Sequence, residues 1–249
     1  MRRSSLSLTV QRWSDWRPVA SGQSLCSCYQ LGEITTREWS SPDTTGVPAL
    51  LRRRLGPVAR VVFQVLNHCA DITRQEPVVF SSVLGDINRT QTILESIVSG
   101  APVSPAAFSL SVHNAIGGLW SLAHGITAPM VALAPLDYSP VPALVEAAGM
   151  LEEGGHFAVN VVFFEDQYPE FYAGFFEPPP GPTAIALRLV APELESGEAG
   201  LRIELKRGGS PAQPVPESNF TALADLLAAR RTAITICEPE CEWLLERCA

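Results

Sequence analysis

Apolar residues follow two different periods along the chain, and segments with the two periods alternate. Short runs that are continuously apolar, or that alternate with polar residues, are typical of strands. Longer segments with apolar residues three and four positions apart are typical of amphipathic helices. The pattern predicts strands at 5–13, 78–80, 129–136, 156–167, 183–192 and 200–208, and helices at 47–72, 86–100, 109–125, 139–154 and 219–231.

Strands that alternate with helices indicate an α/β fold, in which layers of helices cover a mostly parallel or mixed sheet. The run 159–164 is apolar at all but one position, which suits a strand covered on both faces. Gly56 and Pro57 predict a bend or break in the first helix. Asp86 can cap the second helix, and Gly100 can end it.

A stretch rich in proline, glycine and serine interrupts the pattern near the C-terminus. It reads "GGSPAQPVPES" and covers 208–218. Beyond it lie a helix and two alternating runs that flank "EPE", which predict a β-hairpin. We therefore expect a main domain at 1–207, a linker at 208–218 and a C-terminal helix and hairpin at 219–249.

Charge narrows the classes of partner. The 249 residues carry a formal net charge of −8, which argues against nucleic acid or an anionic membrane as a binding partner. The apolar runs are too short to span a bilayer, and no apolar region follows the twin arginines at the start, so we expect a cytoplasmic protein. Arg52, Arg53 and Arg54 form a local basic patch. It is either the solvated face of a helix or a dock for an acidic partner, such as a carrier protein with a phosphorylated arm.

The cysteines do not follow the spacing of a zinc motif. They are Cys26, Cys28, Cys69, Cys237, Cys241 and Cys248. No CxxC pair or Cys/His pattern joins them, so we expect free thiols, no metal site and no cofactor.

Classical catalytic motifs are absent from the sequence, which contains no phosphate-binding glycine loop, HExxH motif or GxSxG elbow. His68 and Cys69 are adjacent, but neighbours on a helix point about 100° apart. Ser111, His113 and Asp137 can be assembled into a triad on paper. Local hydrogen bonding by His113 and Asn114 is the favoured interpretation, and a role at an interface or pocket stays open.

One string in the middle of the chain is more specific. "SPAAFSLSVHNA" begins at Ser104, and Gly118 and the "ALA" at 132–134 follow it. Residues 78–135 resemble the N-terminal half of a β-ketoacyl synthase. More narrowly, they are similar to the short ketosynthase-like proteins of aryl polyene and xanthomonadin-type pigment pathways, which are regarded as chain-length-factor-like partners. A weaker match extends over most of the chain, including "FTALADLLAARR" near its end.

The resemblance implies a thiolase-like fold, here the N-terminal half of a ketosynthase, in which helices and a mixed sheet form α-β-α layers. A condensing ketosynthase carries its acyl-accepting cysteine after a strand, at a helix N-terminus that lowers the thiol pKa and stabilises the oxyanion. The matching position falls at or next to Pro135, which has neither a nucleophile nor an N–H. The histidines used for decarboxylation belong to the missing half. The resemblance thus implies a chain that does not condense acyl groups by itself.

A chain-length-factor-like subunit would pair with a catalytic β-ketoacyl synthase and limit the length of the acyl chain by steric bulk. The resemblance places tunnel candidates at Val83, Leu84, Ile87 and Gln91, although Leu84 and Ile87 also suit an ordinary core. Interface candidates are Phe108, Ser111, His113, Asn114, Gly117, Gly118 and Trp120. We expect an obligate heterodimer, with acyl carrier protein as a further partner.

Two other functions stay open. The chain could be an independent acyl-thioester hydrolase or decarboxylase that uses Ser111 or His113. It could also be a structural adaptor that recruits acyl carrier protein through Arg52, Arg53 and Arg54 without shaping a tunnel.

Overall fold

The structure is a computed structural model, and it describes residues 5–19, 21–172, 174–175, 179–191, 200–208, 219–238 and 241–248. The segment 209–218, which covers nearly all of the predicted linker, lies outside the described residues. None of the helices in the described ranges has the length and apolar character needed to cross a bilayer.

One mixed sheet organises the described part of the chain. Its strands are β1 (Ser5–Pro18), β2 (Ser24–Gln30), β3 (Glu33–Trp39), β4 (Val78–Ser81), β5 (Met130–Leu133), β6 (Ala158–Glu165), β7 (Thr183–Val190), β8 (Leu201–Arg207), β9 (Ala233–Glu238) and β10 (Cys241–Cys248). Their order is β5-β4-β6-β7-β1-β8-β10-β9, and β2 and β3 branch from the second half of β1. The C-terminal hairpin therefore continues the main sheet through β8.

Helices cover both faces of the sheet. They are α1 (Ala49–Arg52), α2 (Pro57–Cys69), α3 (Ile87–Val98), α4 (Pro105–Ser109), α5 (Ala115–His124), α6 (Val141–Glu152) and α7 (Asn219–Leu227). Residues of α2 and α5 pack into one core, and residues of α6 and α7 pack into another on the opposite face. Successive side chains of β6 enter the two cores in turn, because strand residues alternate between faces. The layered α-β-α fold expected from the sequence is confirmed.

The pairing of three strands decides where a functional site can form. β4 pairs in parallel with β5 on one side and with β6 on the other. Parallel neighbours end at the same edge of a sheet, where α/β proteins commonly place their sites. Ser81, Leu133 and Glu165 are the last residues of these strands. We call the region around them the strand-end edge.

Two features differ from the sequence-based expectations, and the break predicted at Gly56 and Pro57 is confirmed. The hairpin of β2 and β3 was not predicted, and its turn uses the left-handed residues Leu31 and Gly32. The segment predicted as one helix at 109–125 contains the end of α4, a non-helical stretch and α5. The first predicted helix is divided into α1 and α2, with Gly56 as the N-cap of α2 and Pro57 in its first turn.

A buried ion pair joins distant parts of the fold. Arg188 on β7 and Glu76, just before β4, approach to 2.5 Å and are almost fully buried. Asn160 on β6 donates to Glu76 at 3.1 Å, and Arg188 also donates to Gln11 on β1. The network fixes the start of β4 against three other strands.

Removal of one partner of this pair should destabilise the fold strongly. Arg188→Met leaves the Glu76 carboxylate buried without its counter-charge, and we expect the free energy of unfolding to fall by about 3–5 kcal/mol. Urea denaturation measures the loss. Arg74→Met is the matched control, because both guanidinium groups lie over the ring of Phe157 but Arg74 is exposed and pairs with Asp71 at the surface. The control should lose less than about 1 kcal/mol, and equal losses would contradict a special role for the buried pair.

Candidate functional site

A buried carboxylate holds the strand-end edge together. Glu165, the last residue of β6, accepts a hydrogen bond from the backbone N–H of Val83 in the turn that follows β4. The hydroxyl of Tyr168 donates to the second carboxylate oxygen at 2.7 Å. The Ser82 hydroxyl and the Leu84 N–H also stabilise the charged form. One side chain therefore positions the turn at 82–86 against the end of β6.

The environment of this carboxylate favours its neutral form. Burial raises the pKa of Glu165 from 4.5 to about 7, although its hydrogen bonds act in the opposite direction. Such a shift at the end of a strand is common at functional sites, but it also occurs in structural networks.

His113 connects the same turn to the end of β5. Its Nε2–H donates to the carbonyl of Leu133, with 3.1 Å between the nitrogen and the oxygen. The ring lies against Gly85, where an added Cβ would come within 3.1 Å of His113 Nδ1. Gly85 also has a φ of +61°, so glycine suits this position for two reasons. The sequence-based expectation that His113 hydrogen-bonds locally is replaced by a bond to β5, twenty residues away.

The triad considered from the sequence is not formed. The Ser111 hydroxyl donates to the carbonyl of Phe108 at 2.9 Å, and the Nε2–H of His113 is used by Leu133. Asp137 lies in the turn after β5, where its own carbonyl accepts from the Asn219 side chain at 2.7 Å. Within the described part of the chain, the Ser111 hydroxyl therefore has no hydrogen bond to a base.

The four tunnel candidates lie around the turn after β4. Val83 and Leu84 are half-buried within the turn, and Ile87 is buried at the start of α3. Gln91 lies one helical turn further and donates to Glu95 at 2.7 Å. Its buried Oε1 has no hydrogen-bond partner among the described residues. The structure thus places Val83 and Leu84 at the Glu165 carboxylate, and Ile87 and Gln91 on the helix that follows.

The turn after β5 has no cysteine. Pro135 is buried and extended, and it precedes a short 3₁₀ turn, Leu136–Tyr138. Asp137 and Tyr138 have left-handed backbones, with φ of 50° and 57°. Residues 130–152, which comprise β5, this turn and α6, contain no cysteine in the sequence.

The C-terminal elements cover that turn. The side chain of Asn219 at the start of α7 donates to Asp137, and the ring of Phe220 packs against Tyr138 with 6.1 Å between centroids. Ser139 donates to Glu238 on β9 at 2.7 Å. The chain's own C-terminal helix and hairpin therefore pack over the turn after β5.

Two of the interface candidates belong to the interior. Trp120 is fully buried and packs on His124 at a centroid distance of 4.1 Å, so it cannot contact another chain. Gly117 lies against the ring of Phe80, where a Cβ would approach to 3.1 Å. Gly117 thus serves the packing of α5 on β4, and Trp120 packs on Phe63 of α2 with 5.2 Å between ring centroids. Gly118 is half-buried and has open space where a Cβ would lie.

Several apolar residues between α3 and the turn after β5 are exposed. Phe108 is 62% exposed. Asn114, the N-cap of α5, is also exposed, and its side chain makes no capping hydrogen bond. β5 is the last strand on its side of the sheet. We call the exposed apolar residues of α3 to β5 and the following turn the apolar face: Leu94, Ile97, Val98, Phe108, Val112, Leu122, Met130 and Leu136.

The arginine patch lies next to the start of α3. Arg53 and Arg54 are exposed and Arg52 is half-buried. The carbonyl of Arg54 accepts a hydrogen bond from Arg89 at 3.3 Å, and Arg89 pairs with the N-cap Asp86. The patch is therefore close to the turn that carries the tunnel candidates.

Two cysteines and a histidine form a cluster that was not predicted from the sequence. Cys26 and Cys28 on β2 face His68 on α2, and His68 Nδ1 lies 3.0 Å from Cys28 Sγ. Cys69 instead points into the core and donates to the carbonyl of Ala186, so the adjacent His68–Cys69 pair does not form. Hydrogen bonds from Cys26, His68 and Ser14 lower the pKa of Cys28, whereas hydrogen bonding to Cys28 and burial raise the pKa of Cys26.

A comparison with family models identifies the fold. The model described as β-ketoacyl synthase, N-terminal domain, matches residues 29–245. The chain belongs to the β-ketoacyl synthase N-terminal domain family. The match includes β4, the turns after β4 and β5, and the C-terminal hairpin, and it confirms the resemblance drawn from the sequence. Among curated proteins, no relative matches this ketosynthase-family chain.

Solved structures show the same fold. A chain of the ketosynthase ApeO in complex with its chain length factor ApeC, from Xenorhabdus doucetiae, is similar with a TM-score of 0.71 and 20% identity. That match covers 97% of this chain and 100% of the other. The ishigamide ketosynthase/chain length factor follows with a TM-score of 0.52, 14% identity and coverage of 91% and 72%. A β-ketoacyl synthase from Burkholderia phymatum STM815 is similar with a TM-score of 0.58 and 14% identity. That match covers 90% of this chain and 69% of the other.

The raised pKa of Glu165 makes stability depend on pH. The folded chain holds the Glu165 proton more tightly than the unfolded chain does. The contribution of this proton to the free energy of unfolding is therefore fully present below about pH 4.5 and is lost as the pH rises through about 7. Glu165→Gln cannot titrate, so wild type should lose up to about 3 kcal/mol relative to this variant between pH 4.5 and 8. Urea denaturation across this range measures the difference.

Glu153→Gln is the control for this experiment, because Glu153 is exposed at the end of α6. It should follow the wild-type profile. Parallel profiles for Glu165→Gln and wild type would show that the Glu165 carboxyl does not titrate in this range.

Proposed function

We propose that the chain is a non-condensing, chain-length-factor-like subunit that pairs in the cytoplasm with an active β-ketoacyl-acyl-carrier-protein synthase. In this role it helps to shape the acyl tunnel of that enzyme, in polyene or fatty-acid-type biosynthesis. The observation that carries the proposal is the turn after β5. It holds Pro135 instead of a nucleophile, and the chain's own α7 and β9 pack over it.

Condensation needs a thiolate that can receive an acyl group and N–H donors that stabilise the oxyanion. Pro135 supplies neither, and the left-handed residues that follow are held by side chains of Asn219 and Phe220. His113, the base considered from the sequence, already donates to the Leu133 carbonyl. These contacts favour a role of this chain as a non-condensing subunit over a role as an independent hydrolase or decarboxylase.

The apolar face supports pairing with another chain. Phe108 and Met130 are exposed, and β5 has a free side where a further strand could be added. Large exposed apolar patches next to a sheet edge mark interaction surfaces. A ketosynthase as the partner is supported by the ApeO–ApeC complex. The matched chain of that complex is covered over its whole length, so a chain similar in size to this one takes part in a ketosynthase/chain length factor pair.

The turn after β4 supports a role in tunnel shaping. Val83 and Leu84 are half-buried at the strand-end edge, and the hydrogen bonds of Glu165 fix their backbone. A rigid turn is suited to a steric stop, since a side chain on it cannot move away from a growing acyl chain. Gln91 offers a buried, unpartnered oxygen on the adjacent helix turn.

Recruitment of acyl carrier protein is a second candidate function. Arg53 and Arg54 are exposed beside α3, and an arginine cluster binds phosphate well. An adaptor of this kind would affect the amount of product but not its length.

Substitution of Leu84 should change the length of the product. Leu84→Trp narrows the proposed tunnel and should shorten the acyl chain, whereas Leu84→Ala should lengthen it. Ile87→Ala should act in the same direction as Leu84→Ala, but its burial adds a cost of about 2–5 kcal/mol in stability. Mass spectrometry of acyl groups released from the carrier protein measures the lengths.

Ile34→Trp on β3 is the control, since it adds the same bulk on the branched hairpin, far along the sheet from β4. It should leave the length unchanged. A lower yield with an unchanged length for every Leu84 variant would favour the adaptor.

Charges on the apolar face should prevent pairing. Phe108→Asp and Met130→Asp each place a carboxylate where the proposed interface excludes water, and each should weaken the complex by about 2 kcal/mol or more. Affinity purification of the co-expressed synthase measures the effect. Ile34→Asp is the matched surface control, and equal recovery of the synthase with all three variants would place the interface elsewhere.

A further inference from the structure

Four side chains from three elements converge beneath α2. Ser14 on β1 is the direct cross-strand partner of Cys28 on β2. Cys26 lies two residues before Cys28, so both point to the same side of the strand. His68 comes from the last turn of α2, which covers this part of the sheet. Ser14 and Cys26 are buried, and Cys28 and His68 are half-buried.

The donor atoms of these residues form a compact tetrahedron. Cys26 Sγ lies 4.0 Å from Cys28 Sγ and 3.8 Å from His68 Nδ1, and Cys28 Sγ lies 3.0 Å from His68 Nδ1. Ser14 Oγ lies 3.7 Å from Cys26 Sγ, 3.2 Å from Cys28 Sγ and 3.2 Å from His68 Nδ1. Zinc bond lengths to sulfur, nitrogen and oxygen give tetrahedral edges of about 3.3–3.8 Å. All six distances fall within about 0.3 Å of that range.

We propose that Cys26, Cys28 and His68 bind one zinc ion, with the Ser14 hydroxyl, or a water beside it, at the fourth position. Two thiolates and an imidazole are the ligands that zinc prefers, and the arrangement is tetrahedral rather than planar. The three protein ligands are the one group of histidine, cysteine and acidic side chains among the described residues whose ligand atoms are close enough to share an ion.

The bound ion would join the N-terminal hairpin to the body of the fold. β2 pairs with β1 on one side and with β3 on the other, and β3 is exposed along most of its length. The hairpin therefore has little core of its own. A zinc ion between β2 and α2 would fix it across a sequence separation of about forty residues, as structural zinc sites do.

When no metal is bound, a proton on His68 Nδ1 takes the place of the ion. Without a metal, the Nδ1–H of His68 donates to Cys28, and the Gln64 amide donates to the unprotonated Nε2 at 3.2 Å. A metal on Nδ1 instead requires an Nε2–H and an acceptor opposite it. The Gln64 oxygen is engaged by the Asp43 N–H at 2.7 Å, so this amide must turn over when zinc binds.

Gln64 therefore offers a variant that separates the two alternatives. In Gln64→Glu, one carboxylate oxygen can accept from the Asp43 N–H while the other accepts from His68 Nε2–H. This substitution favours the tautomer that presents a lone pair on Nδ1, and it should tighten metal binding. Gln64→Leu offers no acceptor to the Nε2–H and should bind metal about 10- to 100-fold more weakly than Gln64→Glu.

The test uses cobalt as a spectroscopic probe. The full-length chain is stripped of metal under reducing conditions and titrated with Co²⁺ alone. We expect saturation at one equivalent, a thiolate-to-cobalt charge-transfer band, the intense visible bands of a tetrahedral site, and loss of these bands on addition of Zn²⁺.

Cys26→Ser and Cys28→Ser should lose the charge-transfer intensity of one thiolate each and bind cobalt more weakly than Gln64→Leu does. Cys69→Ala and Cys248→Ala, which remove cysteines outside the cluster, should behave like wild type. If the cysteine variants do not fold by circular dichroism, the difference in cobalt affinity between Gln64→Glu and Gln64→Leu carries the test.

Absence of a charge-transfer band in the folded wild-type chain would overturn the proposal and leave a hydrogen-bonded thiol–imidazole cluster. An unchanged band in both folded cysteine variants, or equal cobalt affinity for the two Gln64 variants, would overturn it as well.

Discussion

The carboxylate of Glu165 holds together the edge of the sheet on which the candidate site is built. It is buried at the end of β6, and it is satisfied largely by N–H and hydroxyl groups of the turn after β4. Burial of a carboxyl group is costly unless it is hydrogen-bonded, so the turn and the strand end stabilise each other. Asn88 adds a second link, since its side chain donates to the carbonyl of Gln167 at 2.8 Å and ties α3 to the segment after β6.

The turn after β5 has a strained backbone. Asp137 and Tyr138 within it are both left-handed. With Pro135 at its start and α7 packed over it, the turn acts as a structural joint between the sheet and the C-terminal elements. The neighbouring turn after β4 and the apolar face stay accessible, which is what a subunit that shapes a partner's tunnel requires.

Most of the fold could be predicted because its strands and helices carry strong periodic signals. β6 is apolar on both faces, and Asp86 caps α3 as expected. The hairpin of β2 and β3 was missed because β3 lies almost wholly in solvent, so burial imposed no alternation on its sequence. The cysteine–histidine cluster was missed for a related reason, since it depends on that hairpin and on a helix about forty residues away. Trp120 was assigned to an interface because a sequence motif cannot distinguish the inner face of α5 from its outer face.

The central claim is that this chain is one subunit of a ketosynthase complex. Its most direct test is co-expression of the tagged chain with the β-ketoacyl synthases of its own organism, followed by size-exclusion chromatography with light scattering and native mass spectrometry. We expect a stable 1:1 complex with one synthase and poor recovery of the chain when it is expressed alone. A monodisperse monomer of 26.9 kDa that binds none of these synthases would contradict the account.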